Sequence, residues 1–359
     1  MLYQLLYPLR EFFSPLRVFG YITFRAAYAG VLALLLILVF GSRTIRLLKR
    51  SGFCQHIKDD IPDRHRKKEG TPTMGGLMIV VVVLIATLLL CDLSNLMVQL
   101  IILAGVWFGI LGYFDDYIKT RGNRPGGIKK RTKLIFQFLY AIVVGLILKW
   151  SYGPGISTTN ILFVKNLVID YGWLYPVVIA LVIVGTSNGV NLTDGLDGLA
   201  IGTIGIASGI IGILAYVSGH AVISKYLNII FVRDAGELAI ICLALTGASL
   251  GFLWFNSYPA QIFMGDVGSL TLGAIIGTIA VFIKHEILLI LVGGIFVVEA
   301  LSVIIQVYVF RTKKKRVWLM TPLHHHFELK GWPEPKIVVR FWIIAMLFGL
   351  FALSTLKVR

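Results

Sequence analysis

Residues 267–283 read VGSLTLGAIIGTIAVFI. This stretch has no charged side chain, and its length is close to that of a helix crossing the hydrocarbon core of a bilayer. Similar runs recur, so that 57% of the 359 residues are hydrophobic and only 14% are charged. Soluble domains have about 25% charged residues. The composition therefore excludes a soluble enzyme and a disordered chain, and it predicts an all-α, polytopic membrane protein.

Ten apolar runs are predicted to be transmembrane helices of a single integral-membrane domain, residues 1–359. They are 22–40, 75–91, 97–114, 134–149, 174–190, 199–217, 238–255, 267–283, 287–310 and 337–356. An even number of spans places both termini on the same side of the membrane.

The basic residues predict which side that is. Loops 41–74, 115–133 and 311–336 carry 23 of the 34 Lys and Arg residues, and ten spans place these loops on one face. The positive-inside rule assigns this face to the cytoplasm, so both termini lie on the non-cytoplasmic side. The net charge of +16 is explained by topology and by anionic membrane lipid. No nucleic-acid partner is expected.

Adjacent acids, Asp115 and Asp116, follow the third predicted span. Two neighbouring carboxylates at an apolar boundary repel each other and need a cation. Mg²⁺ is the natural candidate, because it binds one or two carboxylates together with substrate phosphates. A solvated helix end is the alternative. It is less attractive for two acids, since acids at a helix C-terminus oppose the helix dipole.

The strongest local motif is NLTDGLDG at 191–198, with Asp194 and Asp197 three residues apart. In a helix the two acids would share a face, and in a loop the glycines would let backbone N–H groups approach a ligand. A structural turn would not require both acids. Asp266, on the same predicted face, is a candidate metal ligand when combined with the Asp115 pair. Alone it would be a partner of a helix N-terminus.

Three further features of the sequence bear on function, two on the predicted face and one inside a span. Segment 63–76 combines lysines with a span entrance and could cradle phosphate. Three consecutive histidines, 324–326, cannot share one helical face and so do not form a tetrahedral zinc site. As loop imidazoles they suit hydrogen bonding or proton transfer near phosphates, and a solvated polar loop is the alternative. Glu299 lies mid-span, either as a functional acid or as a protonated packing residue.

Acids, a divalent cation and basic groups at a membrane boundary indicate phosphoryl chemistry between a soluble and a lipid substrate. Five motifs, at 71–76, 115–116, 191–198, 263–269 and 324–326, resemble those of the phospho-N-acetylmuramoyl-pentapeptide-transferase family. This family is a branch of the polyprenyl-phosphate N-acetylhexosamine-1-phosphate transferases. The resemblance extends over essentially the whole chain.

The resemblance implies transfer of phospho-N-acetylmuramoyl-pentapeptide from its UDP-linked donor to undecaprenyl phosphate, giving lipid I and UMP with Mg²⁺. This is the first membrane step of peptidoglycan synthesis. The resemblance further implies a homodimer in the bacterial cytoplasmic (inner) membrane, with its active site facing the cytoplasm.

The resemblance also assigns roles to individual residues. Asp266 matches the main Mg²⁺ ligand, and Asp115 and Asp116 match acids near the metal that bind or activate the polyprenyl phosphate. His324 matches the catalytically important histidine, and Phe263 the residue that stacks on uracil. The remaining predicted substrate contacts are Lys68, Thr73, Asn191, Asp194, Gly195, Leu196, Asp197, Asn256, Gln306, His325 and His326.

Several alternatives stay open at this level. A sister transferase using UDP-N-acetylglucosamine is the nearest, although the histidine run resembles the muramoyl-peptide branch. A CDP-alcohol phosphotransferase would carry Arg at Ile201, and a prenyltransferase would carry an acid at Lys119. A secondary transporter or lipid flippase is the rival of a different class, and Glu299 is the feature that favours it. Direct attack by the polyprenyl phosphate is preferred to a covalent aspartyl intermediate, because a phosphate monoester is mostly dianionic at neutral pH.

Overall fold

The computed structural model describes residues 2–54, 70–122, 126–160 and 168–357. Within these residues the chain is a helical bundle with one small two-stranded sheet. Its ten long helices are α1 Ile22–Arg50, α2 Gly76–Leu90, α3 Leu96–Arg121, α4 Lys130–Tyr152, α5 Tyr175–Thr193, α6 Leu199–Ser218, α7 Gly236–Asn256, α8 Gly265–Phe282, α9 Gly294–Lys313 and α10 Glu334–Ser354. Nine of these described helices are long and apolar enough to cross a membrane, and α2, with 15 residues, is shorter. The fold is that of a multi-pass membrane protein.

Short elements precede, connect and follow the long helices. Strand β1 (Thr158–Asn160) pairs antiparallel with β2 (Val168–Asp170), with Thr159 opposite Ile169. The short α-helices are Leu2–Leu6, Ala221–Tyr226, Leu289–Val292 and Leu323–Leu329, and the 3₁₀ turns are Pro8–Glu11, Ser14–Gly20, Pro154–Ser157, Gly172–Leu174 and Thr355–Lys357.

Each predicted span corresponds to one of the long helices, but three boundaries need correction. Helix α1 continues to Arg50 instead of ending at 40, because its polar continuation stays helical, with Lys49 and Arg50 in its last turn. Helix α3 continues to Arg121 instead of ending at 114, because Asp115 and Lys119 form an i,i+4 ion pair and basic side chains occupy its last turn. The ninth run, 287–310, is broken at Gly293 into Leu289–Val292 and α9. The interruption falls at a Gly-Gly pair, where helix propensity is lowest among residues other than proline.

Helix α8 lies at the centre of the bundle and packs against α3 and α5. All of its residues from Val267 to Phe282 are buried. Its close approach to α3 depends on Gly112, where a Cβ atom would lie 2.5 Å from the Cα of Val267. Small residues at helix contacts are typical of packing in membranes, where backbones must come close to gain contact.

A buried ion pair joins three helices at the end of the bundle remote from α8's first turn. Arg25 of α1 is 2% exposed and donates two hydrogen bonds, of 2.8 and 2.5 Å, to the carboxylate of Glu237 in α7. Arg25 also donates to the carbonyl of Leu90 at the end of α2, at 3.0 Å. The pair therefore fixes the relative positions of α1, α2 and α7.

Candidate active site

Three carboxylates converge where α3 meets the first turn of α8. The side chains of Asp115, Asp116 and Asp266 offer oxygen atoms that all lie within 4.8 Å of one another. Asp115 and Asp116 are buried, and Asp266 is partly exposed. Gly112 lies one helical turn before Asp116 and contacts the backbone of Asp266. The glycine thus brings the two helices close enough for the acids to meet. The sequence predicts that these three acids lie on the same face, without predicting the role of Gly112.

Two lysines bridge these carboxylates. Lys119 Nζ lies 2.6 Å from Asp115 Oδ2 and 3.0 Å from Asp266 Oδ2. Lys133 Nζ lies 3.0 and 2.6 Å from the same two oxygens. Sequence reasoning did not place either lysine in the site. The i,i+4 spacing from Asp115 could have identified Lys119, whereas Lys133 reaches the cluster only because α4 packs beside it.

Backbone and amide groups hold the other carboxylate oxygens. Asp115 Oδ1 accepts a hydrogen bond from the N–H of Ile128 at 2.8 Å, and Asp116 Oδ2 accepts one from the N–H of Val267 at 3.0 Å. Asp266 Oδ1 accepts from the side-chain amide of Asn191 at 3.0 Å. Each acid is therefore fixed in orientation before any substrate arrives.

The motif at 191–198 begins in the last turn of α5 and continues as a turn, residues 194–198, to α6. Asp194 caps the C-terminus of α5, and Gly198 has φ +80°, so the helical alternative for this acid pair is wrong. Burial, together with the neighbouring carboxylates of Asp266, Asp116 and Asp197, raises the pKa of Asp194 to about 8. The part of this shift that comes from the three carboxylates reflects like charges close together, an arrangement that favours a cation.

Asp197 and Asn256 fasten this turn to the neighbouring loop. Asp197 is buried and accepts a hydrogen bond from the N–H of Ala260 at 3.0 Å. The side-chain oxygen of Asn256 accepts one from the N–H of Gly198 at 3.1 Å. Leu196, between them, is buried in a small apolar cluster. Asp197 and Asn256 therefore hold the turn at 194–198 against the loop that follows α7, and Leu196 packs in the apolar cluster beside it.

Segments 72–75 and 263–265 form the adjacent wall. The N–H of Phe263 donates to the carbonyl of Pro72, and the N–H of Gly75 donates to the carbonyl of Phe263, each at 2.8 Å. A Cβ atom on Gly265 would lie 3.1 Å from Thr73 Oγ1 and 2.5 Å from Asp116 Oδ2, so the hydroxyl of Thr73 lies near the acids. The predicted contact Lys68 lies outside the described residues.

The histidine run begins a short helix, Leu323–Leu329, and is not a loop as expected. His324 is buried, with Nδ1 3.2 Å from an oxygen of Glu299 and Nε2 against the Cα of Gly195. His325 points elsewhere, with Nδ1 2.6 Å from an oxygen of Glu328. The two rings stay in contact, with their centroids 4.2 Å apart. Their Nδ1 atoms face different carboxylates, and Nε2 of His324 turns to the loop at 194–198.

His326 and Gln306 hold the segment that precedes this helix. His326 Nδ1 accepts a hydrogen bond from the N–H of Leu319 at 3.2 Å. The side-chain oxygen of Gln306 accepts from the N–H groups of Val317 and Trp318 at 2.9 and 3.1 Å. Both side chains are thus bonded to the backbone, and their predicted contacts with substrate stay predictions.

Known proteins resemble the chain along its whole length. The model of glycosyl transferase family 4 matches residues 98–284, and phospho-N-acetylmuramoyl-pentapeptide-transferase signature 1 matches residues 68–80. Proteins named phospho-N-acetylmuramoyl-pentapeptide-transferase are 51% identical in Citrifermentans bemidjiense, 52% in Geobacter sp. (strain M21) and 51% in Thermodesulfovibrio yellowstonii, each covering 100% of both chains. The chain therefore belongs to the phospho-N-acetylmuramoyl-pentapeptide-transferase family, within glycosyl transferase family 4.

Proposed function

We propose that this protein transfers phospho-N-acetylmuramoyl-pentapeptide from its UDP-linked donor to undecaprenyl phosphate, giving lipid I and UMP. The observation that carries the proposal is the cluster of three carboxylates and two ammonium groups where α3, α4 and α8 meet. Such a cluster suits a reaction between two phosphates, because it can neutralise charge on both substrates.

The carboxylate cluster fits Mg²⁺. This ion prefers oxygen ligands and commonly binds one or two carboxylates, waters and substrate phosphates. Asp115, Asp116 and Asp266 supply such oxygens within 4.8 Å of one another, and we assign these residues to hold the ion. When bound, Mg²⁺ would neutralise the donor diphosphate and stabilise the departing UMP.

The lysines would bind phosphate oxygens of the substrates. Lys119 and Lys133 each contact two acids at 3.0 Å or less, and their ammonium groups are held at the centre of the cluster. Incoming phosphate would replace part of these contacts. The acids would then orient the lysines as well as the ion, so that both substrates meet in a fixed geometry.

The environment of Asp115 supports direct attack. Its two oxygens face the N–H of Ile128 and the two ammonium groups of Lys119 and Lys133, so these donors occupy the lone pairs that a nucleophilic carboxylate would use. The polyprenyl phosphate is mostly dianionic at neutral pH, so it can act as the nucleophile without first losing a proton to the protein. One of its oxygens attacks the sugar-linked phosphorus of the donor, and the bond from that phosphorus to UMP breaks.

The proposal places the reaction at the cytoplasmic face of the bacterial inner membrane, in a homodimer. The basic loops beside the cluster support the cytoplasmic side. The contacts of Glu299 weigh against a transporter, because its carboxylate accepts hydrogen bonds from the histidine helix. Its side chain is also fully buried, so both of its oxygens face protein donors.

UMP release by the detergent-purified protein tests this function. The reaction contains undecaprenyl phosphate and UDP-N-acetylmuramoyl-pentapeptide, with Mg²⁺ or with EDTA. We expect release that requires Mg²⁺, falls at least about 10²-fold in Asp266→Asn and persists in Asp92→Asn, a half-buried acid at the other end of the bundle. UMP release with UDP-N-acetylglucosamine as donor, and none with UDP-N-acetylmuramoyl-pentapeptide, would support the sister transferase. Release with neither donor, from folded protein, would refute the proposal.

A further inference from the structure

Glu299 is a fully buried carboxylate inside α9 that the reaction described above does not use. One of its oxygens accepts a hydrogen bond from the N–H of Leu323 at 2.5 Å, and the other accepts one from the N–H of His324 at 3.2 Å. A buried carboxylate is costly unless it is hydrogen-bonded, so these donors account for its tolerance in the span. They also join α9 to the start of the histidine helix.

The same carboxylate faces the imidazole of His324. Nδ1 lies 3.2 Å from the Glu299 oxygen that also accepts from the His324 backbone. The carboxylate only accepts, so Nδ1 carries the hydrogen of this contact. In the neutral ring Nε2 is then the nitrogen with a free lone pair. Glu299 thereby selects one of the two tautomers of His324.

The opposite nitrogen has no protein partner within the described residues. His324 Nε2 is buried and makes no hydrogen bond there. It lies against Gly195, where any Cβ atom would collide with the ring. Gly195 belongs to the loop that carries Asp194, beside the carboxylate cluster. A buried polar nitrogen without a partner carries a desolvation cost, which a ligand at this loop would relieve.

We propose that Glu299 is a positioning residue for His324: it fixes the tautomer and the direction of the ring, so that Nε2 points to the 194–198 loop and can bond to the nucleotide-sugar donor. This inference rests on the transferase function proposed above. It gives the mid-span acid a role in orienting a side chain at the site, in place of substrate transport or simple packing.

A double-mutant cycle tests this role, with kcat and KM measured for both substrates. We expect Glu299→Gln to lower kcat about 10- to 100-fold, the range for a partner that orients a functional histidine, with little change in KM for undecaprenyl phosphate. If Glu299 acts through His324, the double variant is no slower than His324→Ala. Ser302→Ala, a buried change one turn away on α9, is the matched control and keeps wild-type kcat.

Glu299→Asp keeps the test decisive if the Gln variant does not fold. Its shorter carboxylate still offers two oxygens to the N–H groups of Leu323 and His324, so we expect a folded protein. Because the oxygens lie farther from the imidazole, kcat should fall between those of wild type and His324→Ala. Multiplicative losses in the double variant, or wild-type kcat in either Glu299 variant or in His324→Ala, would overturn the positioning role. A folded wild-type protein without turnover would instead overturn the transferase function itself.

Discussion

Replacing Lys133 with methionine removes one ammonium group from the carboxylate cluster while keeping a similar length and helix propensity. Lys133 Nζ lies 2.6 Å from Asp266 Oδ2 and 3.0 Å from Asp115 Oδ2. At an effective dielectric constant of ~20, each contact has a Coulomb energy of about 6 kcal/mol. Most of this is offset by desolvation, and removing one partner of a buried pair costs about 3–5 kcal/mol.

The expected loss of transition-state stabilisation is smaller than the summed Coulomb energies of the two Lys133 contacts. Removing one charge-stabilising donor from an active site costs about 10²–10³ in kcat. Lys119 still contacts both acids in the variant, so we expect the lower end, a decrease of about 10²-fold, which corresponds to ~3 kcal/mol of transition-state stabilisation. The concentration of Mg²⁺ that gives half-maximal rate should fall, because the cluster becomes more negative by one charge.

Initial rates of UMP release across a Mg²⁺ titration measure both quantities. Lys149→Met is the matched control on the same helix. Its ammonium group lies at the other end of α4, 3.2 Å from the carbonyl of Gly172, and the variant should keep wild-type kcat. A Lys133→Met enzyme with kcat within about twofold of wild type would refute the assignment of this lysine to the site.

Three further predictions concern stability and pH. Arg25→Met leaves Glu237 buried without its partner and should lower the free energy of unfolding by about 3–5 kcal/mol, measured by denaturation in detergent, while the folded fraction keeps its kcat. Gly76→Ala places a Cβ atom against the backbone of Gly268 and should lower both the denaturation midpoint and kcat; unchanged values would contradict this packing. In EDTA, the free energy of unfolding should fall as pH rises from about 4 to about 8, because folded Asp194, with a pKa of about 8, keeps a proton that the unfolded chain releases near 3.8; Asp194→Asn should flatten this slope.

Much of the fold could be predicted from the sequence, because a bilayer requires apolar helices of a limited length range. The convergence of Asp115, Asp116 and Asp266 was also predictable, since their motifs fall at ends of spans assigned to the same face. The end of α3 was harder to place. Its last turns are polar and leave the apolar run, and they are stabilised by the ion pair of Asp115 with Lys119.

The contacts that complete the site depend on packing between distant segments. Lys133 and Asp266 are separated by 133 residues, and the packing of α4 against α3 and α5 brings them together. The partners of Glu299 could not be read from its position in a span, because they belong to a helix that begins at Leu323. Asn256 is predicted as a substrate contact, but in the structure its side-chain oxygen accepts a hydrogen bond from the backbone of Gly198. This backbone partner could not be read from the sequence.

Manganese binding tests the central claim most directly, that the three carboxylates form the metal site of the transferase. Mn²⁺ accepts the same oxygen ligands as Mg²⁺ and can be followed by electron paramagnetic resonance. The account predicts one tightly bound Mn²⁺ per wild-type chain, lost together with UMP release in Asp266→Asn and kept in Asp92→Asn. Equal Mn²⁺ binding and equal turnover in wild type and Asp266→Asn would contradict it.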